Sequence, residues 1–423
     1  MANQQIYKRV DKRVVVTGMG GVTALGDSWV AIESWLRAGK NAVRGMPEWD
    51  YITSLNTRMA APIDDFQTPA HYPRKMIRSM GRVALLAVRA SELALLDAGL
   101  LKDGVVDSVA RGGKMGIAYG SSSGSVDPVK VFGRMLETGS MQGVTSTSYI
   151  QMMPHTTAVN VALFFGLQGR VIPTSSACTS GAQGIGYAYE AIRFGRQALM
   201  LAGGADELSA PGSAVFDTLF ATSSKNDAPS TTPRPFDAAR DGLVVGEGAA
   251  SLVLEDYEHA VARDATIYAE IVGFASNSDG NHITQPQSGT MSVVMQAALD
   301  DAGLTASDIG YVSAHGTATD RGDVAESHAT HDVLGGNVPI SSIKSYLGHT
   351  LGACGAIEAW WTIEMMRRGW FAPTINLVNV DPACAALDYI QGAGRAIQTN
   401  TIMSNNFAFG GINTSLIFKK LSS

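Results

Sequence analysis

The segment RVIPTSSACTSGAQGIGYAYEAIRFGRQALMLAGG, residues 170–204, combines a short apolar run, small residues, a cysteine and a helical pattern. The apolar run begins at Val171 and the helical pattern covers Thr179–Phe194, so the segment predicts Cys178 at a strand-to-helix turn. Unpaired backbone N–H groups and the helix dipole favour a thiolate there, and the cysteine should ionise more easily than a free one. The alternative is a buried structural cysteine, since free cysteines are often buried.

Composition restricts the class of protein. The chain has 423 residues, of which 45% are hydrophobic and 17% are charged, with 46 glycines. These values are typical of a compact enzyme and argue against disorder. The net charge of −6 gives no general attraction to nucleic acid or to an anionic membrane. No apolar run approaches the roughly 18 residues that span a bilayer, so we expect no stable membrane insertion.

The three cysteines, Cys178, Cys354 and Cys384, form neither a CxxC pair nor a disulfide framework. Their spacing favours a reducing compartment, and we expect a cytoplasmic location.

Strand patterns alternate with helical patterns along the chain, which predicts an α/β fold with mainly parallel sheets covered on both faces. The pattern repeats at the level of elements and predicts two pseudo-duplicated halves, residues 1–260 and 261–423. The glycine cluster Gly18–Gly21 predicts a turn after a strand at Arg13–Thr17. Its spacing does not fit a dinucleotide-binding motif.

Four basic residues cluster at the start of a helical pattern over Tyr72–Leu100: Arg74, Lys75, Arg78 and Arg82. Positive charge at a helix N-terminus opposes the helix dipole, so the cluster does not stabilise the helix. It is either a docking surface for an anionic partner or a solvated basic face.

Two histidines follow predicted strands in surroundings rich in glycine and hydroxyl residues. His315 follows the strand at Gly310–Ala314, and His349 lies five residues after Lys344. Ligands of open α/β sheets bind at the carboxyl ends of strands, so these side chains could meet Cys178. A thiolate can hold an acyl group while neutral imidazoles donate N–H bonds to an enolate oxygen. The set therefore indicates carbon–carbon bond formation on thioesters.

Six ordered segments make the sequence similar to a known family, the elongating β-ketoacyl-[acyl-carrier-protein] synthases of the thiolase superfamily. They are VVVTGMGGVTALG near the start, SSACTSGAQGIG around Cys178, RPFDAARDGLVVGEGA at 234–249, HGTATDRGDVAE at 315–326, KSYLGHTLGACGAIE at 344–358 and SNNFAFGGINTSL at 404–416. The Cys–His–His set separates this branch from the similar initiating synthases, which carry Cys–His–Asn, and from thiolases. The resemblance implies a five-layered αβαβα fold and a homodimer whose interface helps to line the acyl pocket.

The resemblance also implies roles for individual residues. Cys178 would take the acyl group, while His315 and His349 would bind the malonyl thioester carbonyl and stabilise the enolate. Lys344 would orient the histidines with Glu326 as its partner. The backbone N–H groups of Cys178 and Phe409 would form the oxyanion hole for acyl transfer.

Binding roles follow from the same resemblance. Thr317 and Thr319 would bind the phosphopantetheine amide, and the basic cluster would dock the acidic acyl carrier protein. Phe407, Gly410 and Gly411 would also bind substrate and pantetheine, and with Phe409 they would belong to a glycine-rich gating loop. No cofactor or metal is implied as resident, because phosphopantetheine arrives on the carrier protein.

Some positions depart from the family pattern. Ala408 replaces a glycine of the gating loop, Asp320 and Arg321 replace a Pro-Leu or Pro-Val pair, and SSACTSG replaces the commoner TACASG. These changes leave open a housekeeping fatty-acid enzyme or a specialised polyketide or aryl polyene enzyme. Two other functions also remain: a silent chain-length-factor-like partner, which Cys178 argues against, and an acyl-thioester transferase or hydrolase. The bulky residues that could limit acyl length are Phe132, Met135, Phe216 and Phe220.

Overall fold

The computed structural model describes residues 11–421, which form helices on both faces of one large sheet. In chain order, the helices of this range are α1 (Trp29–Ala38), α2 (Arg74–Ile77), α3 (Arg82–Asp97), α4 (Asp127–Thr138), α5 (Ser146–Met152), α6 (Thr156–Phe165), α7 (Ser180–Arg193), α8 (Ala210–Asp217), α9 (Tyr257–Ala262), α10 (Ser288–Ala302), α11 (Asp320–Leu334), α12 (Lys344–Leu347) and α13 (Cys354–Arg368).

The strands of the same range are β1 (Val14–Thr23), β2 (Arg44–Gly45), β3 (Met59–Ala60), β4 (Leu101–Lys102), β5 (Val105–Val106), β6 (Met115–Gly120), β7 (Val171–Thr174), β8 (Leu199–Asp206), β9 (Gly248–Asp256), β10 (Ala269–Ser278), β11 (Val312–Ser313), β12 (Pro339–Ser341), β13 (Trp370–Phe371), β14 (Asp388–Tyr389), β15 (Arg395–Ala396), β16 (Thr401–Phe407) and β17 (Ile412–Lys419).

Eleven strands form the large sheet in the order β14-β12-β11-β16-β17-β10-β1-β9-β8-β6-β7. The strands that precede residue 260 occupy one side of the β1–β10 pair, and those that follow it occupy the other. The pairs from β14 to β16 at one end of the sheet and from β8 to β7 at the other are parallel, whereas the central pairs from β16–β17 to β9–β8 are antiparallel. The expectation of mainly parallel pairing is therefore right only for the outer strands.

Three hydrophobic cores separate the layers. One core lies between α3 and α6 and the strands of the first half, and another lies between α10 and α11 and the strands of the second half. The central core surrounds α7 and α13, which contact each other and strands of both halves. Outer helices, strands of the first half, the central helices, strands of the second half and outer helices make the five αβαβα layers that the family resemblance implies. Both faces of the sheet are covered, so strands such as β1, β8 and β9 are buried throughout their length.

The predicted turn at Gly18–Gly21 is wrong, because these glycines continue β1. A Cβ at Gly18 would lie 2.3 Å from the carbonyl oxygen of Ala94, and one at Gly20 would lie 2.6 Å from the Cβ of Leu93. The glycines therefore allow α3 to pack directly against the strand. The predicted helix over Tyr72–Leu100 is likewise divided, into α2 and α3. No helix among residues 11–421 is long and apolar enough to cross a membrane.

Candidate active site

Cys178 lies in a single 3₁₀ turn, Ala177–Thr179, between β7 and α7. Ala177 has a φ of 50°, a left-handed conformation that is strained for a residue with a Cβ. Hydroxyl groups hold the turn in place: Ser180 Oγ accepts from the Ser176 N–H at 2.9 Å, and Thr179 Oγ1 donates to the Ser176 carbonyl at 2.8 Å. The predicted strand–turn–helix placement of Cys178 is confirmed, and the residue is buried.

His349 is the nearest imidazole to the thiol. Its Nε2 lies 3.0 Å from Cys178 Sγ, while its Nδ1 accepts the Leu351 N–H at 3.2 Å. Because Nδ1 accepts a hydrogen bond, the proton of the neutral ring is on Nε2. The N–H of His349 therefore points at the sulfur.

His315 completes the cluster from the carboxyl end of β11. Its ring is almost perpendicular to that of His349, with centroids 5.2 Å apart, and one nitrogen from each ring lies within 4.8 Å of Cys178 Sγ. The Lys344 ammonium lies 3.2 Å from Nδ1 of His315. An ammonium only donates, so this contact also places the ring proton on Nε2. Two neutral imidazoles can thus present Nε2–H donors to one small volume.

Electrostatics keep both imidazoles uncharged. Burial lowers the pKa of His315 well below 6.5, and the positive Lys344 and then His349 lower it further. Burial and then Lys344 likewise lower the pKa of His349 well below 6.5. Both rings can therefore act as N–H donors at neutral pH without being acids.

These pKa directions predict the pH dependence of any reaction that needs the neutral pair. As the pH falls, each ring stays neutral until the pH reaches its own lowered pKa, so protonation of the histidines should not slow malonyl-thioester decarboxylation until the pH is below about 6.5. CO2 release measured from about pH 7 downward checks the expectation, because Glu326, with a pKa of about 8, titrates mainly above this range. An acid limb centred close to pH 6.5 would contradict it.

The thiol behaves differently from the sequence-based expectation. Burial raises the pKa of Cys178 above its usual 9.0, although the backbone N–H of Phe409, the Lys344 charge and the N–H of Cys178 itself oppose the rise. The prediction of an easily ionised cysteine is wrong, because burial raises the pKa of the thiol more than the backbone N–H groups and Lys344 lower it. Both backbone N–H groups, of Phe409 and of Cys178, lower the pKa of the thiol, as is expected of groups that lie close to the sulfur. We therefore expect acylation of Cys178, measured by mass spectrometry, to become faster up to about pH 9, unlike decarboxylation.

Lys344 pairs with Glu358 instead of Glu326, so the predicted pairing is wrong. Nζ of Lys344 makes a short contact with Glu358 Oε1, and both side chains are buried. Burial opposes the ammonium, but the Glu358 carboxylate keeps the pKa of Lys344 above its usual value. Glu358 projects from α13, which brings its carboxylate under His315 from the central layer.

Glu326 instead holds the backbone before α11. Its two carboxylate oxygens accept the N–H groups of His315 and Gly316, each at 2.7 Å. Burial raises the pKa of Glu326 to about 8, against the opposing effect of these N–H groups and of Lys344. Glu326 therefore sets the position of the His315 backbone, while Lys344 contacts the ring.

The cluster opens into a cavity of about 410 Å³. Its lining includes the reactive side chains and residues predicted to bind pantetheine or the acyl group: Cys178, His315, His349, Glu326, Thr317, Thr319, Phe216, Phe220, Phe407, Phe409 and Gly411. Thr317 Oγ1 and Thr319 Oγ1 lie 2.9 Å apart, so the cavity wall carries adjacent hydroxyl groups. Phe132 and Met135 lie on α4, outside this lining.

The predicted gating loop is the tip of the β16–β17 hairpin. The Ala408 N–H donates to Ile412 at 2.7 Å, and Gly410 and Gly411 have positive φ values of 95° and 75°. Ala408 does not adopt a positive φ, so its methyl group does not strain this conformation. The Gly410 N–H also donates to the Ile283 carbonyl at 2.8 Å, which fastens the tip to the loop before α10.

The basic cluster is only partly available to a partner. Arg74, Lys75 and Arg78 are exposed. Arg82 is half-buried: its guanidinium pairs with the buried Glu247 at 2.5 Å and donates to the Ile63 carbonyl at 2.8 Å. The structure therefore gives Arg82 an internal ion pair, which does not fit its predicted docking role.

Three residues of the site are absent from the sequence-based set: Cys354, Glu358 and Asn406. Cys354 Sγ donates to the Cys178 carbonyl at 3.2 Å, and Asn406 Nδ2 donates to Glu358 Oε2 at 2.6 Å. The signal for Glu358 was a single acid in the apolar run ACGAIEAWW, because an isolated buried charge requires a partner. Cys354, His315 and Glu358 could form a metal-ligand set, but Lys344 already places a positive charge there.

Comparison with known proteins agrees with this geometry. Residues 11–260 match the model of the β-ketoacyl synthase N-terminal domain, and residues 268–378 match that of the C-terminal domain. The chain is 36% identical to 3-oxoacyl-[acyl-carrier-protein] synthase 2 of Vibrio harveyi, over 97% of this chain and 99% of the relative.

Solved structures give the same result. A β-ketoacyl synthase from Burkholderia phymatum is 68% identical, with a TM-score of 0.95 over 97% of this chain and 100% of that one. A ketosynthase bound to a hexaketide, in complex with its type II PKS acyl-carrier protein, is 30% identical. Its TM-score is 0.84, over 97% of this chain and 100% of that one. The fold is thiolase-like, and the chain belongs to the β-ketoacyl synthase family.

Proposed function

We propose that this chain is a 3-oxoacyl-[acyl-carrier-protein] synthase that joins an acyl group on Cys178 to malonyl-carrier protein with loss of CO2. One observation carries the proposal: the thiol of Cys178 and the Nε2–H donors of two neutral histidines meet at the end of one cavity. A single histidine would suffice for a base, whereas two N–H donors suit an oxygen that becomes negative.

The first step transfers the acyl group. Cys178 sulfur attacks the acyl thioester carbonyl, the bond to the carrier sulfur breaks, and the thiol proton of Cys178 leaves on the carrier thiol. The oxygen that becomes negative would accept the N–H groups of Cys178 and Phe409. Both groups lower the pKa of the Cys178 thiol, which supports this assignment.

The second step forms the carbon–carbon bond. The bond between the malonyl carboxylate and its α-carbon breaks, CO2 leaves, and the electron pair passes into an enolate whose oxygen would accept Nε2–H from His315 and His349. The enolate carbon attacks the acyl carbonyl and the bond to Cys178 breaks. Its sulfur leaves as a thiolate and takes a proton from solvent. Lys344 and Glu326 position His315 throughout.

The other proposed functions have less support from the site. A silent chain-length-factor-like subunit needs no nucleophile, but here Cys178 is placed against His349. A hydrolase needs a base for water, whereas the hydrogen-bond pattern makes both rings Nε2–H donors.

The three cysteines of the chain are unpaired and buried, which supports the expected cytoplasmic location.

A direct experiment separates these functions. The purified chain is mixed with acyl-carrier protein and then with malonyl-carrier protein, and the mass of the Cys178 peptide, CO2 and the product are measured. We expect acyl mass on Cys178, CO2 release and a product two carbons longer. No acyl mass would indicate a silent subunit, and free acid without chain extension would indicate a hydrolase.

The proposed partner is an acidic acyl carrier protein that docks on Arg74, Lys75 and Arg78 and brings the phosphopantetheine arm into the cavity beside Thr317 and Thr319. The solved carrier complex of a relative supports this class of partner. We also propose a homodimer whose interface contributes to the acyl pocket, as the family resemblance implies. The pathway is either fatty-acid elongation or a related polyketide or polyene extension.

Charge reversal tests the docking surface. Because Arg78 is exposed, we expect Arg78→Glu to lower kcat/KM for acyl-carrier protein about tenfold at low salt, with a smaller loss at high salt. The rate with a small free acyl thioester should stay at the parent value, since that substrate needs no docking.

The matched control is Lys102→Glu. Lys102 is also exposed, but it lies beyond the far end of α3, a 16-residue helix about 24 Å long. This variant should use carrier protein as the parent does. Equal losses with carrier-bound and free substrates in Arg78→Glu would refute the docking role of Arg78.

A further inference from the structure

Asn406 carries a fully buried amide that lies against the ring of His315. It lies on β16, opposite Thr414 of β17, and Thr414 Oγ1 donates to its carbonyl oxygen at 3.2 Å. The backbone position is therefore held by the hairpin, while the side chain projects towards α13 and the end of β11.

Three possible acceptors surround the side-chain nitrogen of Asn406. Nδ2 lies 2.6 Å from Glu358 Oε2, 3.4 Å from His315 Nδ1 and 3.6 Å from Cys354 Sγ. An amide nitrogen has two hydrogens, so one bonds the carboxylate and the other is shared by the imidazole and the thiol.

The chemistry of the neighbours determines the orientation of the amide. A reversed amide would place Oδ1 against the Glu358 carboxylate, where two acceptors would repel each other. The observed orientation leaves Oδ1 buried with no partner among the described residues. An unpartnered buried oxygen costs free energy, so the amide is held there by what its nitrogen contacts.

We infer that Asn406 is a positioning residue for the decarboxylation half-reaction. Its amide contacts Nδ1 of His315 and donates a hydrogen bond to Glu358. Glu358 in turn pairs with Lys344. This inference rests on the proposed condensing activity and adds a residue to it. The amide and Lys344 both donate towards Nδ1, so together they keep the proton of His315 on the nitrogen that faces substrate.

The inference makes a specific electrostatic prediction. A donor at Nδ1 opposes protonation of that nitrogen and so lowers the pKa of the ring. Without the amide, His315 should become an imidazolium at a higher pH, and the acid limb of decarboxylation should move upward. Acylation of Cys178 does not use His315 in this way and should change little.

The experiment compares Asn406→Ala, Asn406→Ser and Asn406→Asp with the parent chain. We expect decarboxylation of malonyl-carrier protein by Asn406→Ala to fall about ten- to a hundredfold, with an acid limb at higher pH, while acylation of Cys178 stays within about threefold. Asn406→Ser can still donate one hydrogen bond and should be intermediate. Asn406→Asp replaces a donor by an acid beside Glu358 and should give the lowest rate.

The matched control is Asn405→Ala on the same strand. Asn405 is also fully buried, but its Nδ2 contacts Met295 Sδ of α10 at 3.3 Å, away from the histidines. This variant should reduce thermal stability and leave both the ratio of the two steps and the acid limb at the parent values.

Equal losses in both steps, or an unmoved acid limb in the folded Ala and Ser variants, would overturn the inference. A parent chain that neither acylates Cys178 nor releases CO2 would instead overturn the proposed function. The two failures are thus distinguishable in one set of measurements.

Discussion

Replacement of Cys178 by alanine should abolish condensation and leave decarboxylation. We expect the condensation rate to fall on the order of 10⁶-fold, the loss typical when a catalytic nucleophile is removed. Release of CO2 from malonyl-carrier protein should stay within about tenfold of the parent, because both Nε2–H donors remain and one such donor is worth about 10²–10³ in rate. Acyl mass and CO2 release, measured on the same preparation, check both expectations.

His349→Ala is the complementary variant. It keeps the sulfur but removes the donor 3.0 Å from it, so decarboxylation should fall about 10²–10³-fold while Cys178 still acquires acyl mass. In Cys178→Ala, acyl mass on Cys354 or Cys384 would contradict the assignment of the nucleophile.

Disruption of the Lys344–Glu358 pair should have the largest effect on stability. Both side chains are buried, so Lys344→Met leaves a carboxylate without its counter-ion and should cost about 3–5 kcal/mol of the free energy of unfolding. The double variant Lys344→Met/Glu358→Gln removes both charges and should recover most of that loss. Urea unfolding of the single and double variants measures the coupling.

Activity should not follow stability in this series. The double variant still lacks the ammonium 3.2 Å from His315 Nδ1, so its decarboxylation should remain impaired. The control is Lys130→Met, which removes an exposed pair with Asp127 and should change stability by less than about 0.5 kcal/mol. A double variant as unstable as the sum of its singles would show that the two charges do not act as a pair.

Local pattern was sufficient for most of the fold. Residues 170–204 indicated the strand, the turn and α7, because apolar runs and helical spacing are properties of neighbouring residues. β16 was missed, because Ser404, Asn405 and Asn406 interrupt its apolar pattern with polar side chains. They are buried there beside α13 and α10, and no local rule anticipates buried amides.

The glycines of β1 are a second feature that local sequence could not explain and tertiary packing does. In sequence, Gly18–Gly21 has the composition of a turn, and only the packing of α3 against the strand explains why a strand needs residues without side chains. The basic cluster is similar: four cations adjoin in sequence, but Glu247, 165 residues from Arg82, engages one of them.

By itself, the sequence determined the alternation of strands and helices, the place of Cys178 at a strand-to-helix turn, and the histidines after strands, since these depend on nearby residues. The five-layered αβαβα architecture followed from the resemblance to a known family. Only the tertiary structure decided which acid pairs with Lys344, that Asn406 reaches His315, and that burial raises the pKa of the Cys178 thiol. The physical reason is that charge pairing and desolvation depend on groups far apart in the chain. Cys178 and His349, for example, are 171 residues apart and share one contact.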